Sequence, residues 1–184
     1  MIYYKRYTGK LLPQKMAEQA NWVQWTHHSE GKTHCATCLM LDGCFFTASN
    51  HPPCPHHPFC HCTLEPVDYA VVLIKTSAYS DYRKFDPYLF NTTGQQTHNK
   101  EKLFKKWGYT VEDARWLQAE IERQARERYI SGQYELGKLN IFGQRINISV
   151  TIPKKHGFGD VSFVTGWMVK PNGQIKLNTP YGGK

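Results

Sequence analysis

No stretch of 18 or more apolar residues occurs in the 184 residues, so nothing reads as a membrane-spanning helix, which needs about 20. The N-terminal run MIYYKRYTGKLL lacks the apolar centre of a secretory signal, and export by the general route is not expected. There is no internal repeat and no low-complexity tract, which argues against solenoids and arrays. Acidic residues are scarce, and unevenly so. Residues 1–78 carry 6 Lys and Arg against 5 Asp and Glu, whereas residues 79–184 carry 17 against 10, so +7 of the net +8 lies in the second part. A basic unit points to nucleic acid or another polyanion as partner; a merely soluble surface has the same composition.

What is present is apolar substance. With 40% hydrophobic residues, including 9 Phe, 5 Trp and 11 Tyr, the chain can bury a real core and is not a disordered tail. Its length suits one ordinary domain and a small appendage: residues 1–78, and a basic unit of residues 79–184.

From Pro13 to Trp25 the run PQKMAEQANWVQW reads as a short helix with Met16, Ala20 and Val23 on one side. The following segment, to Pro66, is rich in Cys, His and Pro and has no sustained period, so something other than an apolar face must order it. Asp68 to Thr76, DYAVVLIKT, has the β-branched run of a strand. Two helices follow a polar loop at 91–97: Asn99 to Trp107 and, after Gly108, Val111 to Ile130, where Thr110 and Asp113 resemble a capping box. Ala114, Leu117, Ile121, Ala125 and Tyr129 mark one inward face. The remainder reads as strands. Ile146, Ile148, Val150 and Ile152 alternate with polar residues, and Val161 to Lys170 and Gln174 to Thr179 flank the hairpin signal Asn172-Gly173. A two-residue turn there pairs Lys170 with Ile175 and Met168 with Leu177. Thr165, Trp167, Lys176 and Asn178 would then share a polar face, which suits a ligand platform or a half-solvated sheet. The expected class is α+β: a small zinc knuckle, then two helices packed on an antiparallel sheet.

The densest chemistry is HCATC followed by HPPCPHHPFCHC. Zinc takes four soft or borderline ligands in a tetrahedron, and two ligand pairs on separate turns supply them. Cys35, Cys38, His57 and Cys60 are the first choice, and Cys62 is an alternate for either of the last two. His34, His51, Cys54, His56 and His61 compete, and Cys44 reads as a small buried apolar residue. Six cysteines also allow three disulfides in 15 connectivities, a reading that fits an exported protein better. No acidic general base stands in a motif beside the ligands, so the zinc is expected to be structural.

HCATCLMLDGCFF followed by PHHPFCHCTLEPV resembles the Cys/His segment of phage Mu-type head-morphogenesis (minor capsid) proteins, over about 35 residues. The large helical part that precedes this segment in those proteins has no counterpart in the sequence. From Lys84 to Lys184, with YLFN, THNKEKLFKKWGYT, FGQRINI, VTGWMV and LNTPYGG, the chain resembles toxin-type domains of the barnase-, EndoU- and RelE-like ribonucleases. That resemblance implies metal-independent RNA cleavage, RNA as substrate and an immunity protein or phage structural proteins as partners, with no membrane. It also implies a cytoplasmic, virion-associated or target-cell-delivered location.

Such cleavage needs a base, an acid and cations around the phosphorane. His98 and His156 are the only histidines of the second unit. His98, beside Lys100, and His156, in the loop PKKHGFG, are the candidate acid and base, although both also read as ordinary loop histidines. Arg145, Lys176 and Thr165 are candidate phosphate contacts, and Trp167 and Asn178 candidate base contacts. Two rivals remain open: a non-enzymatic phage structural or adaptor protein, and a zinc-stabilised nucleic-acid-binding module. A histidine in one cleft with Arg145 or Lys176 favours the enzyme; histidines far from them favour binding.

Overall fold

The computed structural model describes residues 21–28, 35–90 and 100–182. They form a mixed α and β structure with two sheets and four α-helices. Among the described residues no helix is long and apolar enough to cross a membrane.

The first sheet has the order β2-β1-β3, all antiparallel: β1 (Trp22–Thr26), β2 (Phe45–Thr47) and β3 (Thr63–Val67). Helix α1 (Ala36–Leu41) lies between β1 and β2 in the chain. The end of the helix expected from Pro13 to Trp25 is therefore a strand, while 13–20 lie outside the described residues. WVQWT is rich in β-formers. Pairing on both edges outweighs its helical spacing, and Trp22 and Trp25 are buried in the core.

The expected strand over Asp68 to Thr76 is likewise corrected. Tyr69–Lys75 is helix α2, whose first turn is capped by the Asp68 carboxylate accepting from the Ala70 N–H at 2.7 Å. The cap meets an orphan N–H that a strand would not leave. Only Val72 of that run is fully buried, and Ile74 is largely exposed.

The second sheet has the order β4-β8-β7-β6-β5. Its strands are β4 (Ser77–Tyr79), β5 (Glu135–Asn140), β6 (Gly143–Pro153), β7 (Asp160–Val169) and β8 (Gln174–Thr179). All neighbours are antiparallel except the edge strand β4, which runs parallel to β8, so the sheet is mixed rather than wholly antiparallel. Helices α3 (Lys100–Lys106) and α4 (Ala114–Ile130) precede the meander. The turn into α4 is the expected one, with the Thr110 N–H donating to the Asp113 carboxylate at 2.9 Å. Ala114, Leu117, Ile121, Ala125 and Tyr129 of α4 share one fully buried core with Ile146, Ile148, Val150 and Ile152 of β6. Full burial of each larger apolar side chain contributes about 1.5–3 kcal/mol.

The β7–β8 hairpin differs from the expected register by one residue. Val169 pairs with Ile175, Met168 with Lys176 and Trp167 with Leu177, around a three-residue loop. Lys170 N–H donates to the Gln174 carbonyl across its base, and Asn172 and Gly173 both take positive φ, +58° and +73°. Three-residue hairpins commonly close through such left-handed residues. The slip turns Thr165 and Trp167 inward. Both are fully buried, with the Trp167 indole N–H donating to Thr165 Oγ1 at 2.7 Å and that hydroxyl donating to the Ile148 carbonyl at 2.8 Å.

The two sheets share the core. Trp22 meets Tyr129 edge-on at 5.3 Å between ring centroids, and the Tyr129 hydroxyl donates to the Phe45 carbonyl. The Tyr134 hydroxyl accepts from the Thr47 N–H at 2.9 Å and donates to the Asn50 carbonyl at 2.7 Å.

Candidate functional site

Two groupings carry chemistry. The first is the Cys/His cluster, at the side of the three-stranded sheet. Cys35 and Cys38 flank the start of α1, so their C-x2-C spacing puts both sulfurs at one turn. His57, Cys60 and Cys62 come from the Pro-rich loop that ends at β3. Ligand atoms of Cys35, Cys38 and His57 lie within 4.8 Å of one another, as do those of Cys38, Cys60 and Cys62, with Cys38 common to both triads. A tetrahedral zinc with Zn–S near 2.3 Å has sulfur–sulfur edges of about 3.8 Å and sulfur–nitrogen edges of about 3.5 Å. The observed separations are 3.7 Å for Cys38 Sγ to Cys60 Sγ and 3.3 Å for Cys38 Sγ to His57 Nε2. The described cysteines are all free thiols. These two separations suit a metal ion, while Cys35 and Cys60 fall in different triads, so among the described residues no four ligand atoms lie within 4.8 Å of one another throughout.

Local hydrogen bonds prepare these groups. The Cys35 thiol is shifted down, chiefly by the backbone N–H of Cys38, with that of Thr37 assisting. At Cys60 burial pushes the thiol up, but backbone N–H donation from Cys62 and His56 outweighs it and brings it down to about 7. Burial pushes the thiols of Cys38 and Cys62 up. His57 Nδ1 faces the Pro58 carbonyl at 2.7 Å, a bond that raises the ring above its ordinary value and directs Nε2 at Cys38. Cys54 donates to the Cys62 carbonyl at 3.3 Å, and Cys44 is fully buried as expected.

The second grouping is built around Arg145 and Lys176, which lie on the face of the five-stranded sheet turned away from the buried row of β6. Arg145 of β6 pairs with Met168, Met168 with Lys176, and Lys176 with Tyr79 of β4, so Arg145 and Lys176 stand in one row. Gly166 opposes Thr179 next to a bulge that contains Asn178. A Cβ added at Gly166 would lie 3.0 Å from Thr179 Cγ2 and 3.7 Å from Arg145 Nη2. Glycine inside a strand commonly marks such a close approach. Lys100 reaches the same place from α3, donating to Thr179 Oγ1 at 3.1 Å and to the Tyr88 hydroxyl at 3.0 Å. Lys84 and Lys100 lie over the Tyr88 ring at 5.7 and 5.2 Å. Asp81, Arg83, Lys84 and Tyr88 line a cavity of about 330 Å³. The Asp81 carboxyl is held down at about 2, first by the Arg83 side chain, and Lys176 adds to the shift.

Among the described residues, Lys84, Lys100, Arg145 and Lys176 have no carboxylate ion-pair partner, whereas Arg83, Lys105, Arg123 and Lys155 do. Arg145 and Lys176 share one sheet face, Lys100 reaches the strand end at Thr179, and Asp81 is the counter-charge nearest Lys176; the surplus of cations there attracts an anion.

The candidate residues thus separate. Arg145, Lys176 and Lys100 belong to the basic face, and Asn178 sits half-buried in its bulge. Thr165 and Trp167 are in the core, so neither a phosphate nor a base reaches them. His156 is exposed in the loop after β6, its N–H donating to the Trp107 carbonyl at 3.1 Å. Eight residue steps separate Arg145 from Pro153 at the far end of β6, about 27 Å at strand rise. His156 and Arg145 therefore do not share a cleft. His98 lies outside the described residues. Lys84, Tyr88, Gly166 and Thr179 escaped the sequence reading. The one available signal was Gly166, a glycine within a strand pattern.

Residues 75–184 match a family model described as Domain of unknown function (DUF6883). No curated protein and no solved structure matches the chain.

Proposed function

The chain belongs to the DUF6883 family, whose description names no function, and from the geometry we propose that it is an RNA-binding effector module: the basic sheet face engages the RNA backbone, and a structural zinc orders the Cys/His segment. The observation that carries this is the approach of Arg145 and Lys100 to the Gly166–Thr179 pair, with Lys176 in the same row as Arg145 and Lys84 and Lys100 at the half-exposed Tyr88 ring. Cations that track phosphates beside an aromatic face that stacks bases are the two parts of single-strand recognition. The zinc reading is supported by sulfur and nitrogen separations close to tetrahedral edges and by backbone N–H groups that favour the thiolates of Cys35 and Cys60.

Cleavage of the bound RNA, in the manner of the toxin-type ribonucleases that the second unit resembles, is the finer form of this proposal. It is favoured by the order of two helices followed by a meander whose outer face bears Arg145 and Lys176. Delivery with a phage particle is the setting that the resemblance of the Cys/His segment suggests.

The test is titration of labelled single-stranded RNA with the full chain, followed by incubation with total RNA in chelator. Binding that weakens about tenfold in Arg145→Gln and in Lys176→Gln, but not in Lys154→Gln at the far end of the sheet, supports the reading. Fragmentation abolished by Arg145→Gln supports its finer form. A folded protein that ignores RNA at low salt would leave the adaptor reading in its place.

A further inference from the structure

We propose that the cavity lined by Asp81, Arg83, Lys84 and Tyr88 holds the terminal phosphate of an RNA strand, a phosphate monoester. The strand is then taken by its end and runs past Lys100 and Thr179 to Arg145. This rests on the RNA-binding reading above and deepens it. The Cys/His cluster plays no part in it.

The segment that carries the cavity is fixed to the core. Phe85, Leu89 and Phe90 are buried, whereas Arg83 and Tyr88 are exposed. Its turns close on themselves. The Asp81 carboxylate accepts from the Arg83 N–H at 3.0 Å, the Asp81 carbonyl from the Lys84 N–H at 2.9 Å, and the Arg83 carbonyl from the Tyr88 N–H at 3.1 Å. The Arg115 guanidinium of α4 covers the Tyr82 ring at 3.6 Å and ties the segment to that helix. A site held in place before its ligand arrives loses little to ordering when it binds.

The side chains at the cavity suit an anion of more than one charge. Asp81 engages Nε and Nη2 of Arg83, and its bonds leave out Nη1. Lys84 and Lys100 lie over the Tyr88 ring at 5.7 and 5.2 Å. Lys100 donates to the Tyr88 hydroxyl and to Thr179 Oγ1, and an ammonium has a third proton to give. Charge decides the kind of phosphate. Asp81 and Arg83 cancel as an ion pair, so Lys84 and Lys100 leave two positive charges around one ring. A diester within a strand carries one negative charge, whereas a terminal monoester carries about −1.5 to −2 near neutrality and offers three acceptor oxygens. The volume of about 330 Å³ lies at the small end of ligand cavities, about 300–1,000 Å³, and suits one strand end rather than a duplex. From there Lys100 leads to Thr179, which opposes Gly166, and a Cβ at Gly166 would lie 3.7 Å from Arg145 Nη2. Arg145 and Lys176 thus meet the diester phosphates that follow, one cation for one charge.

The test compares one internally labelled single-stranded RNA in three forms, titrated with the full chain: with a 5′-phosphate, with a 3′-phosphate, and with hydroxyls at both ends. At least one phosphorylated form should bind about tenfold more tightly than the hydroxyl-ended strand, the gain of a charge-assisted contact, and the better of the two identifies the end. Equal affinity of all three overturns the proposal and leaves RNA binding in place. Binding of none overturns the RNA-binding reading and the proposal with it. Arg83→Gln and Lys84→Gln should each bring the ratio of phosphorylated to hydroxyl-ended affinity near one, whereas Arg145→Gln should weaken all three forms alike and keep the ratio. A preference that survives both Arg83→Gln and Lys84→Gln would place the terminal phosphate elsewhere and overturn its assignment to this cavity.

Discussion

Tyr134→Phe removes one oxygen atom from the contact between the two sheets. The Tyr134 hydroxyl accepts from the Thr47 N–H at 2.9 Å and donates to the Asn50 carbonyl at 2.7 Å. Thr47 is 4% exposed, so its N–H would be stranded without water, whereas Asn50 is half-buried and its carbonyl can be resolvated. An unsatisfied buried donor costs about 1–3 kcal/mol, and the lost bond to Asn50 adds little. A destabilisation of about 2 kcal/mol lowers the Tm of a chain of this size by roughly 4–8 °C. Calorimetry of the zinc-loaded protein should show one transition displaced by that amount, because Tyr129 and Tyr134 belong to the same core as Trp22 and Phe45. Zinc content should be unchanged. A shift below about 1 °C, or separate transitions for the two sheets, would refute the argument that this contact ties them into one cooperative unit.

Gly108 has φ +91°, and a Cβ there would lie 2.7 Å from the His156 backbone nitrogen. Gly108→Ala should therefore displace the bonds that Lys155 and His156 make to the Trp107 carbonyl, costing more than about 2 kcal/mol in a denaturant titration. His156→Ala, at the opposite end of the sheet from Arg145, should leave RNA affinity within about twofold of wild type; a tenfold loss would place the binding face elsewhere. Zinc affinity should fall on acidification. The buried thiols of Cys38 and Cys62 are pushed up and must surrender protons to bind metal, while Cys60, near 7, passes from mostly thiolate at pH 8 to mostly protonated at pH 6. Chelator competition between pH 8 and 6 should show a loss of more than one decade per unit, and an affinity independent of pH would contradict proton-linked thiolate ligation.

Elements whose signal is local were legible in the sequence. The run from Ala114 to Tyr129 and the alternation from Ile146 to Ile152 each specify one buried face, and both faces are buried as read. Where two local signals competed, tertiary context chose. WVQWT lies in a strand because β2 and β3 flank it, and AVVLIK lies in a helix because Asp68 caps it. The hairpin was legible in place but not in register. Asn172 and Gly173 are both left-handed, but Pro171 joins them in the loop, and that one residue moves Trp167 from the solvent face to the core. The Cys/His cluster was legible because its ligands come from two short segments whose spacing is itself the signal. His27 was not, since it follows β1 and meets Cys62 from outside those segments. The basic face was half legible. Arg145 and Lys176 carry charge on strands, but the bond from Lys100 to Thr179 spans 79 residues and no local pattern announces it.

The salt dependence of RNA binding tests the central claim most directly. Four phosphate contacts by Lys84, Lys100, Arg145 and Lys176 give a slope of log affinity against log salt of roughly −3 for a single strand, at about 0.7 per contact. Each of Lys100→Gln, Arg145→Gln and Lys176→Gln should reduce that slope by about 0.7, with Lys154→Gln as the unchanged reference. A slope near zero, or one that the three substitutions leave as it was, would contradict an RNA-binding role for this face.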